Sequence, residues 1–197
     1  MIVIGLTGSI GMGKSAVSAM FRRAGVPVFE ADAAVHALQG PGGRLLPAIE
    51  ARFPGTTGAD GVDRRKLGAA VFGKPGELKA LEHIVHPAVG QMRRRWLRQN
   101  RSRPMVVLDI PLLFEKGGRK SVDLVIVVSA PAWVQRKRVL GRPGMTTSKF
   151  RHIVAHQTPD AEKRRRADFV IQTGRLKTET ERQLRSLVAC LRAKRGR

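Results

Sequence analysis

The octapeptide Gly8-Ser9-Ile10-Gly11-Met12-Gly13-Lys14-Ser15 satisfies the pattern G-x-x-x-x-G-K-[ST] and decides the fold. An apolar run at residues 2–6 precedes it and a helical pattern at 15–24 follows it, which is the context of a phosphate-binding loop. Glycines let such a loop curl until successive N–H groups point at phosphate oxygens, and the helix dipole adds to the attraction. Lys14 is expected on the β- and γ-phosphates of ATP and the Ser15 hydroxyl on Mg²⁺. The predicted ATP-binding residues are Gly8, Gly11, Met12, Gly13, Lys14, Ser15 and Ala16.

Apolar runs at residues 26–29, 105–110, 124–128 and 169–171 predict further strands. A strand, a helix and a second strand within the first thirty residues predict a parallel sheet with helices on both faces. We therefore predict a P-loop α/β fold with three layers, α/β/α. Its core is expected at residues 1–33, 104–137 and 160–197, with a substrate-binding helical insertion at about 34–103 and a small lid at about 138–159.

Local patterns predict the helices within this plan. The insertion is expected to hold helices at 47–52, 64–72 and 77–99, broken by a Gly-rich turn at 55–61. A final amphipathic helix at 178–193 presents a stripe of four apolar residues to the core. These are Leu184, Leu187, Val188 and Leu191. Cys190 lies beside the stripe, which favours a packing role for this cysteine over a chemical one.

Composition narrows the class of protein. The 197 residues contain one cysteine, which excludes an internal disulfide framework and fits a reducing compartment. The apolar run at 2–6 is too short for a signal peptide or a membrane span, so we expect a soluble cytoplasmic domain without membrane contact. No sequence feature sets the oligomeric state.

The balance of 37 basic against 15 acidic residues gives a net charge of +22. Basic clusters occur at 93–103, 163–166 and 192–197. Aromatic residues make up 5%, and no tyrosine is present to stack on bases between these clusters. We therefore expect solvated basic faces that attract phosphates, with no specific nucleic-acid site.

Candidate catalytic residues follow the predicted strands, where a parallel sheet places its ligands. Asp32 follows the second strand and is either a base that accepts a proton from the acceptor hydroxyl or a helix N-cap; spacing leaves both open. Asp109 ends the run Met105-Val-Val-Leu-Asp in a Walker-B-like pattern. It is either a carboxylate near Mg²⁺, which its position favours, or a turn residue at the strand end before Pro111. Arg138 and Arg142 are four apart and are expected to share a helix face and to clamp the transferring phosphate from the lid.

Six ordered motifs resemble the dephospho-CoA kinase family across nearly the whole chain. They are the phosphate loop; Glu30-Ala31-Asp32; the 81–87 segment ending in His86-Pro87; the 111–115 segment Pro-Leu-Leu-Phe-Glu; Gln135, Arg138 and Arg142 followed by Arg151 and Gln157; and 167–174. The sequence departs from the family pattern at Glu30, where the family has Asp, at Ser9 and Met12 in the loop, and at Gln172, where the family has Asn.

The resemblance implies an enzyme that phosphorylates the ribose 3′-hydroxyl of dephospho-CoA with ATP and Mg²⁺ to give coenzyme A and ADP. It implies that Asp32 is the base, that Lys14, Arg138 and Arg142 act on the transferred phosphate, and that His86, Leu113 and Glu115 help to bind the acceptor. Three alternatives remain open: another small-molecule or nucleoside monophosphate kinase, a basic nucleic-acid-binding protein switched by ATP, and a catalytically inactive homologue.

Overall fold

A computed structural model describes residues 1–115 and 117–193, in which the chain forms two compact units. The first unit contains residues 1–29 and the chain from Asn100 onward, and the second contains Glu30–Gln99. The basic cluster predicted at 192–197 lies outside the described residues from position 194.

A five-stranded sheet has the order β2-β5-β1-β6-β7. Its strands are β1 (Ile2–Thr7), β2 (Val28–Glu30), β5 (Met105–Asp109), β6 (Leu124–Ser129) and β7 (Phe169–Gln172). The β1–β5, β1–β6 and β6–β7 pairs are parallel, and Ile4 lies opposite both Val107 and Leu124. The predicted parallel α/β fold is confirmed, and each strand begins or ends within two residues of its prediction.

Five helices accompany this sheet in the first unit. They are α1 (Lys14–Arg23), α6 (Ala132–Leu140), α7 (Thr147–Ala155), α8 (Asp160–Arg165) and α9 (Lys177–Ala193), with a 3₁₀ turn at Gly118–Ser121. The main core joins alternate residues of the strands, such as Ile126 and Val128 of β6, to apolar faces of α1 and α9. Val125 and Val127 are also fully buried, as expected of a strand covered on both faces.

The second unit is a helical assembly with a core of its own. It contains α2 (Ala31–Gln39), α3 (Leu46–Arg52), α4 (Arg64–Val71) and α5 (Pro75–Gln99), plus a hairpin of β3 (Thr57–Gly58) and β4 (Gly61–Val62). The first three helices pack on α5 through apolar residues that include Leu38, Ile49, Leu67 and Val85. The hairpin occupies the segment that was predicted to be only a Gly-rich turn.

Two local predictions are wrong. Cys190 is exposed, because the buried stripe of α9 passes through Leu187, Val188 and Leu191 and turns position 190 outward. Arg138 and Arg142 do not share a helix, since α6 ends at Leu140. The residue before a proline avoids helical backbone angles, and Pro143 follows Arg142 directly.

No helix in residues 1–115 and 117–193 is long and apolar enough to cross a membrane.

Candidate active site

The phosphate-binding loop lies between the carboxyl end of β1 and the first residue of α1. Gly13 is the N-cap of α1 with φ +89°, and Gly11 has φ +77°. These left-handed angles favour glycine because a Cβ would crowd the carbonyl oxygen. A Cβ on Gly11 would also lie 2.5 Å from Cγ2 of Val139, so α6 reaches the loop only because position 11 has no side chain.

Side chains from outside the loop hold three consecutive loop carbonyls. The Ile10 carbonyl accepts from Gln135 Nε2 at 2.8 Å, the Gly11 carbonyl from Arg138 Nη1 at 3.4 Å, and the Met12 carbonyl from Thr173 Oγ1 at 2.6 Å. In a trans peptide the N–H points opposite to the C=O. The Gly11 and Gly13 N–H groups therefore point away from these side chains, and neither has an acceptor among the described residues.

The loop thus presents unpaired donors at the start of a helix. The N–H groups of the first helical residues, Lys14 and Ser15, have no intrahelical partner, and they add the positive end of the helix dipole. Such an arrangement attracts phosphate. The Met12 side chain points into the main hydrophobic core beneath the loop, where it is 2% exposed and accepts a hydrogen bond from the Ala130 N–H through Sδ.

Lys14 and Asp109 form an ion pair at the centre of the site. Asp109 is 4% exposed and also accepts a hydrogen bond from the Ser18 hydroxyl. Ser18 lies four residues after Lys14, so both side chains leave the same face of α1. The Asp109 carboxylate therefore fixes the position of the Lys14 ammonium beside the loop.

The oxygen donors available here suit Mg²⁺. The Ser15 hydroxyl is exposed at the start of α1, and the Asp109 carboxylate lies next to Lys14. Mg²⁺ prefers such oxygen ligands and is commonly held by one or two protein groups together with nucleotide phosphates. The residues present therefore fit the ion.

Two adjoining clefts flank the loop on the side of β7. One, of about 380 Å³, is lined by Met12, Gln135 and Asp160, among others. The other, of about 490 Å³, is lined by residues of α9 that include Gln183, and both clefts share Pro131 and Gln172. Of the two, only the cleft of about 380 Å³ is lined by a residue of the phosphate loop, Met12.

Comparisons with known proteins identify the family of this chain. The family model described as dephospho-CoA kinase matches residues 2–178. The chain belongs to the dephospho-CoA kinase family. It is 64% identical over 195 residues to a dephospho-CoA kinase of Novosphingobium aromaticivorans, covering 99% of this chain and 97% of that one.

Solved structures extend the likeness to three dimensions. A Thermus thermophilus protein is 36% identical, with a TM-score of 0.83, and the match covers 95% of this chain and 96% of that chain. The dephospho-CoA kinase of Campylobacter jejuni shares the fold with a TM-score of 0.67 at 20% identity, covering 96% of each chain. Membership of the dephospho-CoA kinase family confirms the resemblance found in the sequence.

In the second unit, the two residues that the family resemblance singles out are both exposed. Asp32 lies in the first turn of α2, and its side chain is exposed. The N-cap position belongs to Glu30, so the N-cap interpretation of Asp32 is wrong. His86 lies on α5 directly before Pro87, and its imidazole is exposed.

In the first unit, the predicted acceptor-binding residues of the 111–115 segment have other contacts. Leu113 is fully buried and lies against the glycine at position 5, so its observed role is packing. Glu115 pairs with Lys163 at 2.9 Å and accepts a hydrogen bond from the Thr158 N–H at 2.8 Å. Burial raises the pKa of the Glu115 carboxyl, but the Lys163 ammonium and the backbone N–H groups outweigh it, so this pKa is lowered. Acceptor binding by both residues stays a prediction.

Two residues have roles in the structure that their sequence context did not predict, Thr173 and Lys163. Thr173 holds the Met12 carbonyl and receives two hydrogen bonds from Arg138, at 3.1 Å to Oγ1 and 2.6 Å to the carbonyl. Its position directly after a strand at the ligand edge was the available signal. Lys163 was counted within a solvated basic cluster, yet its side chain is fully buried, so that interpretation is wrong for this residue. Charge counting alone does not distinguish a paired lysine from a solvated one.

Proposed function

We propose that this chain transfers the γ-phosphoryl group of ATP to the ribose 3′-hydroxyl of dephospho-CoA, giving coenzyme A and ADP. The observation that carries the proposal is the phosphate loop, in which the Gly11 and Gly13 N–H groups are unpaired while the neighbouring carbonyls are held from outside. Family membership supports the choice of acceptor. The nucleoside of ATP fits the two clefts that share Pro131 and Gln172.

Charge stabilisation is the main contribution of the loop to this reaction. Lys14 leaves Asp109 and binds the β- and γ-phosphates, and the loop N–H groups hold the same oxygens. Ser15 and Asp109 would hold Mg²⁺, and the ion would supply positive charge to these phosphates. Arg138 and Arg142 place positive charge near the transferred group. Arg138 is already anchored to Thr173, while the Arg142 side chain is exposed on the turn after α6.

Asp32 completes the chemistry. Its carboxylate accepts the proton of the 3′-hydroxyl as the oxygen attacks the γ-phosphorus and the bond to the bridging β–γ oxygen breaks, releasing ADP. The exposure of the Asp32 side chain in the first turn of α2 supports this role, because an exposed carboxylate can contact a bound acceptor. His86, Leu113 and Glu115 contribute to acceptor binding. Both substrates are polyanions, and the net charge of +22 attracts them without requiring a nucleic-acid ligand. We also propose a cytoplasmic location, where the single cysteine stays reduced.

The first test compares acceptors. ADP release is measured with Mg·ATP and dephospho-CoA, AMP, shikimate, pantothenate or duplex DNA at one salt concentration. We expect turnover with dephospho-CoA alone. A response to a different small acceptor would leave the phosphate loop as described and refute the assigned acceptor. Stimulation by DNA would instead favour the nucleic-acid alternative.

The second test concerns the base. Asp32→Asn is expected to lower kcat by about 10²–10⁴-fold with little change in ATP affinity, which is the usual contribution of a general base. Asp60→Asn is the matched control, because Asp60 is also an exposed aspartate of the second unit and lies in the β3–β4 turn. Unchanged turnover in Asp32→Asn would show that another group takes the proton.

A further inference from the structure

Two glutamines form hydrogen bonds with the backbone of Ile10 in the phosphate loop. The Ile10 N–H donates to Gln157 Oε1 at 3.0 Å, and the Ile10 carbonyl accepts from Gln135 Nε2 at 2.8 Å. Gln135 lies on α6, and Gln157 lies two residues beyond the end of α7. The two glutamines therefore bracket the segment 136–156 and tie both of its ends to one residue of the loop. We propose that Gln135 and Gln157 are positioning residues that keep the loop in its phosphate-binding shape.

The direction of each hydrogen bond explains how Gln135 and Gln157 fix the shape of the loop. Gln135 holds the Ile10 carbonyl, and this carbonyl belongs to the same peptide group as the Gly11 N–H. Because the two point in opposite directions, fixing the carbonyl fixes the direction of the Gly11 donor. Gln157 fixes the preceding peptide group through the Ile10 N–H. Without both contacts this stretch of backbone is free to rotate, since Gly11 tolerates a wide range of angles.

Burial makes the Gln135 contact difficult to replace by water. Gln135 is 8% exposed although it carries a polar amide, and that amide donates to the partly buried carbonyl of Ile10. One turn further along α6, Arg138 binds the Gly11 carbonyl and Val139 lies against Gly11. Residues 135, 138 and 139 share one helix face at this spacing, so a single face of α6 supports two consecutive loop residues.

The roles of the two amides are opposite, which gives a sharp experiment. Gln157 accepts a hydrogen bond, so Gln157→Glu keeps the contact. Gln135 donates one, so Gln135→Glu removes the donor and sets a carboxylate against a carbonyl oxygen. Both variants place the same negative charge beside Ile10, and a general charge effect therefore lowers the affinity of both equally. Gln99→Glu is the control, because this exposed residue ends α5 in the second unit.

The readout is the affinity for Mg²⁺ with a non-hydrolysable ATP analogue, measured by calorimetry beside thermal unfolding of each variant. We expect Gln157→Glu to stay within about threefold of the parent. Gln135→Glu should bind more than about tenfold more weakly, because it replaces the donor with a carboxylate that faces the Ile10 carbonyl oxygen. The uncharged variants Gln135→Met and Gln157→Met should each bind about three- to tenfold more weakly. They serve as the decisive pair if Gln135→Glu fails to fold.

Equal losses in the two Glu variants, or parental affinity in the two Met variants, would overturn the proposal. So would a loss of affinity that merely follows a loss of thermal stability. The inference rests on the proposed kinase function only through ATP, because the calorimetry contains no acceptor. If dephospho-CoA is not the acceptor, Gln135→Glu should still bind the ATP analogue more weakly than Gln157→Glu. If the two glutamines do not position the loop, the parent should still phosphorylate dephospho-CoA.

Discussion

The ion pair between Lys163 and Glu115 offers a quantitative test of how the first unit is held together. The Lys163 side chain is 0% exposed and Glu115 is 14% exposed, with 2.9 Å between Nζ and Oε1. The pair joins α8 to the segment that follows β5, and Glu115 also binds the Thr158 N–H. Replacing Glu115 by Gln keeps the side-chain shape and leaves an ammonium in the interior without its carboxylate.

Because Lys163 is more deeply buried than Glu115, replacing one or the other should lower the free energy of unfolding by different amounts. Glu115→Gln should lower the free energy of unfolding by about 3–5 kcal/mol, the range for removing one partner of a buried pair. Since a domain of this size loses about 2–4 °C per kcal/mol, the melting temperature should fall by about 6–20 °C. Lys163→Met should cost only about 1–3 kcal/mol, because Glu115 retains the Thr158 N–H and some contact with water.

A double-mutant cycle separates this pair from other effects. Urea unfolding at pH 7 is measured for the parent, both single variants and the double variant. The double variant should be more stable than the sum of the single losses predicts, by about 1–3 kcal/mol, as is usual for residues in direct contact. Additive losses, or a smaller loss for Glu115→Gln than for Lys163→Met, would refute the reasoning that a buried cation depends on this carboxylate.

Two further predictions concern the loop and acid stability. Gly11→Ala should weaken binding of Mg·ATP at least about tenfold and lower the melting temperature. The new Cβ would collide with Val139, and position 11 has a left-handed backbone that alanine disfavours. Calorimetry and thermal unfolding measure the two effects. The lowered pKa of Glu115 means that its stabilisation is complete above the unfolded carboxyl pKa of about 4.3 and is lost as the pH falls through the folded value. Urea unfolding at pH 3–6 should therefore show a shallower acid loss for Glu115→Gln than for the parent, and identical slopes would contradict the assigned pKa direction.

The sequence was sufficient for those parts of the fold that depend on local pattern. Apolar runs predicted the five strands of the sheet, and the loop motif predicted the junction of β1 and α1. The contacts of Thr173 and Lys163 could not be predicted from the sequence, because these residues meet their partners only when β7 and α8 pack beside β6. Spacing also failed at Arg142, because α6 ends at Leu140 and Arg142 lies two residues beyond it, directly before Pro143. Asp32 illustrates a partial success, since its position after a strand was predictable while its exclusion from the N-cap depended on where α2 begins.

The variable positions of the loop motif are constrained in this protein by what surrounds them. The pattern specifies only Gly8, Gly13, Lys14 and Ser15, yet each peptide group in between needs a defined direction if the N–H groups are to meet phosphate. That direction is set from α6, from the residues after α7 and from the end of β7, which supply the partners of three consecutive carbonyls and of one N–H. Met12 shows the same dependence, because its thioether fills the space under the loop and binds the Ala130 N–H. The same loop sequence placed in a protein without these elements would keep its motif and lose its shape. Phosphate binding therefore depends on the loop together with the side chains that hold its carbonyls.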